Sequence, residues 1–202
     1  MSLFHSRKRD RDLRPGFCFR QYRRWMQMKK RGYKMKIAVI GYSGCGKSTL
    51  TEYIGKKRQL PILFLDKVHW LPGWKERPAE EERKIVSDFL DQHDSWVIDG
   101  NYSKICWDRR MKEADRIVFL AFGRGTCLLR ALKRYVTWRG KTRKSMTKGC
   151  PEKIDIEFVK WILWDGRVRR RRRIFETVKR KYPDKMVCIK CQRQMKQFLI
   201  KD

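Results

Sequence analysis

Gly41-Tyr-Ser-Gly-Cys-Gly46-Lys47-Ser48 fits the spacing G-x-x-x-x-G-K-[ST] in full, directly after an apolar β-rich run and directly before a helical pattern. That spacing grips phosphate. Glycines at 41, 44 and 46 let the backbone turn with its N–H groups inward, where they and the N-terminus of the next helix surround an anion; Tyr42, Ser43 and Cys45 fill the turn between them. Lys47 is placed to reach the β- and γ-phosphates, the Ser48 hydroxyl to bind Mg²⁺, and Thr49 to support the loop. The ligand implied is a nucleoside triphosphate with its magnesium ion. A second acid belongs on the metal side of such a site, and Asp99, ending the apolar run in "WVIDGNYSK", is the candidate. No N-K-x-D base-recognition motif occurs, which argues against a GTP switch.

Arginines follow in a series. Arg130 and Arg134 are four apart and share a helix face, and Arg139 and Arg143 come next in a Gly- and Lys-rich stretch. Such a series suits a mobile lid, over about 139–165, that closes on transferring phosphate. Beyond Pro151 the apolar residues Phe158, Trp161, Trp164, Val168, Phe175 and Val178 keep helical spacing, yet Arg171 and Arg172 stand where the stripe should continue. One of them, Arg171 being the candidate, is expected to point inward, with Gly166 as hinge. The rest of Arg167–Arg173 reads as a solvated or nucleic-acid-facing surface.

The elements that must hold these groups alternate in type. Apolar β-rich runs occur at Lys36–Ile40, Pro61–Leu65, Trp96–Ile98, Ile117–Phe122 and Met186–Ile189, with helical patterns between them at Lys47–Lys57, Ala79–Gln92 and Thr126–Trp138. Five short buried strands separated by helices imply an α/β fold whose five-stranded parallel sheet is covered on both faces, with function at the carboxyl ends of the strands. The chain has 202 residues, which suits one such domain over 35–202. Residues 1–34 carry twelve Lys and Arg against two Asp with no apolar period, and read as a basic, disordered extension. Met35 opens a segment that resembles a protein start, so the extension reads equally as an upstream start or as a nucleic-acid-binding arm. A formal net charge of +30 points to polyanions or phosphate esters as partners. No apolar stretch is long enough for a membrane span and no signal-peptide core is visible, so a cytoplasmic, membrane-free protein is expected, with its seven cysteines reduced. Cys188 and Cys191 form one C-x-x-C without a second metal pair and read as incidental thiols.

Taken together, "IGYSGCGKSTL", "LDKVHWLPGW", "WVIDGNYSK", "RGKTR" and "GCPEKIDIEFVKWILWDGR" resemble the bacterial DNA topology-modulation proteins, which are related to adenylate kinases. The resemblance covers about 35–199. It implies a three-layer P-loop kinase fold with a helical lid, and ATP as phosphoryl donor. Adenylate kinases hold the acceptor phosphate with an arginine in D-G-[FY]-P-R; here the same place reads Asp-Gly-Asn-Tyr-Ser-Lys, which argues against a nucleoside monophosphate acceptor. Asp66, in "FLDKVHW", falls where related kinases that phosphorylate hydroxyls keep a carboxylate beside the acceptor. Such a group repels a phosphate but can accept a proton from an alcohol. His69, Trp70 and Trp74 either wall an aromatic or sugar substrate or simply pack.

Two function classes remain. One is an ATP- and Mg²⁺-dependent phosphotransferase acting on a small hydroxyl-bearing or nucleotide-like acceptor. The other is an ATP-binding, nucleic-acid-associated regulator of DNA topology, favoured by the charge and the family name.

Overall fold

The computed structural model describes residues 34–201; the expected extension before them lies outside the described residues. Five strands, β1 (Lys36–Gly41), β2 (Ile62–Phe64), β5 (Trp96–Asp99), β6 (Arg116–Leu120) and β7 (Met186–Ile189), form one sheet in the order β2-β5-β1-β6-β7, every neighbouring pair parallel. Burial on both faces explains the near-continuous apolar composition of β1. Ile37 and Val39 enter one core with Leu50, Ile54, Cys127, Ala131, Ile162 and Phe198, while Ala38 and Ile40 enter the other with Leu65, Val86, Leu90, Met111, Phe175 and Val178.

Those partners define the outer layers. α1 (Lys47–Arg58), α5 (Arg124–Trp138), α6 (Ile156–Leu163) and α8 (Gln192–Lys201) supply the first core, and α2 (Leu65–His69), α3 (Ala79–Gln92), α4 (Trp107–Glu113) and α7 (Arg169–Lys181) the second. The result is the expected three-layer α/β fold. Register brings Val39, Phe64 and Asp99 level on β1, β2 and β5, so the loops that leave these strands open at one end of the sheet.

Three local expectations are corrected. β2 stops at Phe64 rather than at Leu65, so Asp66 sits in the first turn of the short α2. A two-stranded antiparallel hairpin, β3 (Trp70–Leu71) with β4 (Lys75–Glu76), follows it unforeseen, with Gly73 and Trp74 at φ 76° and 62° making the turn. The apolar stripe from Phe158 does not run through to Val178. α6 ends at Leu163, a 3-10 turn spans Asp165–Arg167, and α7 restarts the period, which leaves Trp164 and Val168 60% and 46% exposed. Gly166 lies against α6: a Cβ there would stand 2.7 Å from the Trp161 carbonyl oxygen, so the residue serves a close approach. With the period reset, Arg171 and Arg172 are exposed and the inward arginine is Arg167, 8% exposed. The six described cysteines are all free thiols, and no described helix is long and apolar enough to cross a membrane.

Candidate active site

The loop between β1 and α1 takes the conformation its sequence predicts. Gly44 and Gly46 have φ of 75° and 94°, and a Cβ on Gly44 would fall 2.4 Å from the Cys127 carbonyl oxygen, so a side chain is barred by both strain and contact. Gly46 caps α1 without a side chain, so no side-chain group occupies the helix's first free N–H donors. Lys47 folds back and donates to the Tyr42 carbonyl at 3.1 Å. Side chains on the outside of the loop are anchored. Tyr42 packs edge-on against Phe119 and Phe175 beneath the Arg167 guanidinium at 3.8 Å, Ser43 Oγ accepts from Trp161 Nε1 at 2.9 Å, and the Cys45 carbonyl accepts from Arg130 Nη1 at 2.6 Å. Gly41 is gripped at both polar groups by Asn101, which accepts from its N–H at 2.9 Å and donates to its carbonyl at 2.5 Å. Thr49 is exposed on the first turn of α1.

Asp99, at the end of β5, is 4% exposed. Its Oδ2 accepts from Ser48 Oγ at 2.7 Å, and its Oδ1 is buried with no partner. Burial pushes its carboxyl up to about 6 against the pull of Lys47, and the nearby Asp66 adds to the rise. Burial alone would lower the Lys47 ammonium, but the acidic groups around it, Cys45, Asp99 and Asp66, outweigh that and leave it raised. The Cys45 thiol is itself pushed up to about 11 by burial, so it is neutral at pH 7 and acts on Lys47 only in the alkaline range where both groups titrate. A lone carboxylate oxygen beside a serine hydroxyl is a donor set that suits Mg²⁺, which takes few protein oxygens and completes its octahedron with phosphate and water. No group of three or more His, Cys, Asp or Glu among the described residues could hold a metal by itself.

Asp66 Oδ1 accepts from the Tyr102 hydroxyl at 2.8 Å. Burial and the Asp66 charge raise that phenol well above its usual value, so it remains a donor. From Tyr102 a row of rings runs outward: His69 at 4.7 Å, then Trp70 at 4.6 Å from His69, then Trp74 at 5.4 Å from Trp70. His69 Nδ1 lies 2.5 Å from Glu82 Oε1, a carboxylate that is itself buried.

The arginines part company. Arg134 and Arg143 meet on Glu152, through Nε at 2.7 and 2.5 Å, one on each carboxylate oxygen. The Arg134 charge opposes that of Lys47 and is favoured by Asp66, and the Arg143 charge favours the ionised Asp99. Arg130 holds the loop from outside and Gln192 Oε1 at 2.6 Å. Arg139 is exposed and pairs with Glu152 through its backbone. Arg171 is exposed, its guanidinium 4.1 Å over the Trp161 ring.

Several residues at the site escaped the sequence reading. Arg110 is fully buried and donates to the carbonyls of Ile105, Gly100 and Tyr102 at 3.0, 3.2 and 2.6 Å, clamping the loop that carries Asn101 and Tyr102. Burial lowers its guanidinium to about 10, still charged at neutral pH. Arg167 donates to Phe122 and Ile162 carbonyls. Neither arginine had a signal beyond its type. Tyr102 and Glu152 lay within segments that carried the family resemblance, where their type and place gave the only hint.

No family model matches the chain. The uncharacterized protein YqaC of Bacillus subtilis (strain 168) is 32% identical over 90 residues, which are 43% of this chain and 49% of that protein. The chain thus spans about half the length of the curated relative it matches. Among solved structures, shikimate kinase from Acinetobacter baumannii in complex with shikimate superposes with a TM-score of 0.52 at 15% identity, covering 85% of this chain and 94% of that one. A gluconokinase from Sinorhizobium meliloti 1021 gives 0.47 at 17% identity, over 85% and 90%. By its layers, its strand order and this likeness to shikimate kinase, the chain has the three-layer P-loop kinase fold.

Proposed function

We propose that the chain is an ATP- and Mg²⁺-dependent phosphotransferase, similar to nucleotide and nucleoside kinases, that moves the γ-phosphoryl group to a hydroxyl of a small acceptor. The observation that carries this reading is Asp99: a buried carboxylate with one oxygen on Ser48 and the other unpartnered, behind a complete phosphate-binding loop. Leaving such an oxygen orphaned is costly, and a metal ion relieves the cost. Ser48 and Asp99 would hold the ion, which when bound would supply neutralisation of the phosphate charge. Lys47 then exchanges the Tyr42 carbonyl for phosphate oxygens, and the loop N–H groups and the α1 terminus hold the rest of the anion.

On the acceptor side Asp66 takes the proton of the attacking hydroxyl, and Tyr102 orients it through Oδ1. Cations there are already engaged. Arg110 spends its donors on backbone carbonyls, and the Nη donors that Arg134 and Arg143 keep beside Glu152 are assigned to the γ-phosphoryl group, which leaves none of the three for an acceptor phosphate or carboxylate. Asp66 and Glu82 add negative charge, and the rings of His69, Trp70 and Trp74 offer apolar faces. This favours a phosphate-free hydroxyl compound, a sugar or nucleoside, over a nucleotide.

The resemblance to topology-modulation proteins and the exposed Arg169–Arg173 run support a second reading, an ATP-binding regulator on nucleic acid. Release of ADP from Mg-ATP, followed by a coupled assay, separates the two. The kinase reading expects turnover that Lys47→Ala abolishes without unfolding the chain; turnover unchanged in that variant contradicts it. Salt-steep DNA binding with no ADP release under any acceptor favours the regulator.

A further inference from the structure

Glu152 is buried, its side chain 5% exposed, on a segment otherwise rich in cations, and each of its two oxygens takes the Nε of a different arginine. Such a pairing uses only the Nε edge of each guanidinium; Arg143 also spends Nη1 on Ser145 Oγ at 3.2 Å. The remaining Nη donors stay available on two planar forks, and α5, which carries Arg134, lies against the phosphate loop: Arg130, one turn earlier, donates to the Cys45 carbonyl at 2.6 Å, and a Cβ on Gly44 would fall 2.4 Å from the Cys127 carbonyl oxygen. Without the carboxylate the two guanidinium groups repel each other and separate. The backbone of Glu152 is itself fixed. Its N–H donates to the Lys141 carbonyl at 3.1 Å, and it bridges to Arg139 at the end of α5, closing the loop between them. That loop is moored on the β3–β4 hairpin by Thr147 Oγ1 to the Trp70 carbonyl at 2.6 Å, Gly73 N–H to the Gly149 carbonyl at 3.0 Å and Cys150 Sγ to the Leu71 carbonyl at 3.2 Å.

We propose that Glu152 is a positioning residue: it holds Arg134 and Arg143 by their Nε edges so that their free donors meet the γ-phosphoryl group in the transition state, and its mooring ties that alignment to the acceptor-side hairpin. The inference rests on the kinase reading above. Its signature is opposite in sign for rate and for binding. Glu152 carries negative charge near the phosphates, so removing the charge cannot weaken ATP binding electrostatically, whereas misplacing two arginines slows transfer by roughly a hundredfold.

The test uses the full chain and Glu152→Gln, with ADP release from Mg-ATP for rate, a fluorescent ATP analogue for affinity and thermal unfolding for the fold. Expected is a fall in kcat of roughly a hundredfold with analogue affinity unchanged or tighter. Glu152→Asp keeps the charge, and hence the compensation of both arginines, but shortens the reach by one methylene; it should fold like the parent and still lose most of the rate. Wild-type rates in either variant overturn the proposal. So does a parallel loss of rate, affinity and thermal midpoint in both, which marks a merely structural contact. A parent chain that neither binds the analogue nor releases ADP overturns the kinase reading instead, and the inference with it.

Discussion

Asp99 is the buried carboxyl of the candidate site, held on one oxygen by Ser48. A carboxyl pushed up to about 6 by burial binds its proton more tightly in the folded chain than in the unfolded one. The sign follows: in the unliganded protein this group adds stability as pH falls toward its unfolded value near 4, and detracts from it above about 6. A rise of about two from the ordinary value corresponds to about 3 kcal/mol of cost at neutral pH as an upper bound. Asp99→Asn is therefore expected to raise the thermal midpoint of the unliganded chain at pH 7.5 by a few degrees and to flatten its pH dependence, while eliminating phosphoryl transfer. Calorimetry at pH 5 and 7.5 checks it; a lower midpoint at pH 7.5 counts against the buried, orphaned carboxylate. Protons also compete with metal at this oxygen, so Mg-ATP affinity should fall as pH drops below about 6, by up to about tenfold for each further pH step, and titration calorimetry across that range reads it directly.

At the scale of the elements, two buried arginines, Arg110 and Arg167, hold loops in place through backbone carbonyls. Replacing Arg110 with Met strands the carbonyls of Gly100, Tyr102 and Ile105, and should cost about 3 kcal/mol, or roughly 10 °C of thermal midpoint. Arg171→Ala removes an exposed side chain and should leave the midpoint within about a degree, while Arg167→Ala lowers it by several degrees. Thermal unfolding of the three variants separates inward from outward arginines; equal shifts contradict the assignment. This contrast also marks what the sequence could tell. Strands such as β1 were legible because both faces are buried and the apolar run is continuous, and α3 because Pro78 precedes it and three glutamates fill its first turn. The phosphate loop was legible because its glycines answer a backbone need that no other residue meets. Arg167 was hidden because an arginine run has no period of its own, and one 3-10 turn decides which member faces in. Tyr102 and Glu152 were hidden for a related reason: their partners Asp66, Arg134 and Arg143 are joined to them by tertiary contact rather than by spacing.

For the whole molecule, charge dominates. At +30 the chain repels itself, and screening should relieve that repulsion, since the Debye length shrinks to about 10 Å at 0.1 M salt. The thermal midpoint should rise between 20 and 200 mM NaCl; a fall would show that ion pairs such as Arg109 with Asp91 and Glu113 outweigh the excess. The same charge favours polyanions and phosphate esters as ligands. The central claim is that a γ-phosphoryl group leaves ATP for a hydroxyl at Asp66. Its most direct test is ATP labelled in the γ-phosphoryl group, incubated with Mg²⁺, the full chain and a set of phosphate-free sugars and nucleosides. The account predicts label in a new phosphate ester with the parent chain, lost in Lys47→Ala and in Asp66→Asn, the latter with ATP binding intact; label that stays in ATP across the whole set, or that moves equally well in Asp66→Asn, contradicts it.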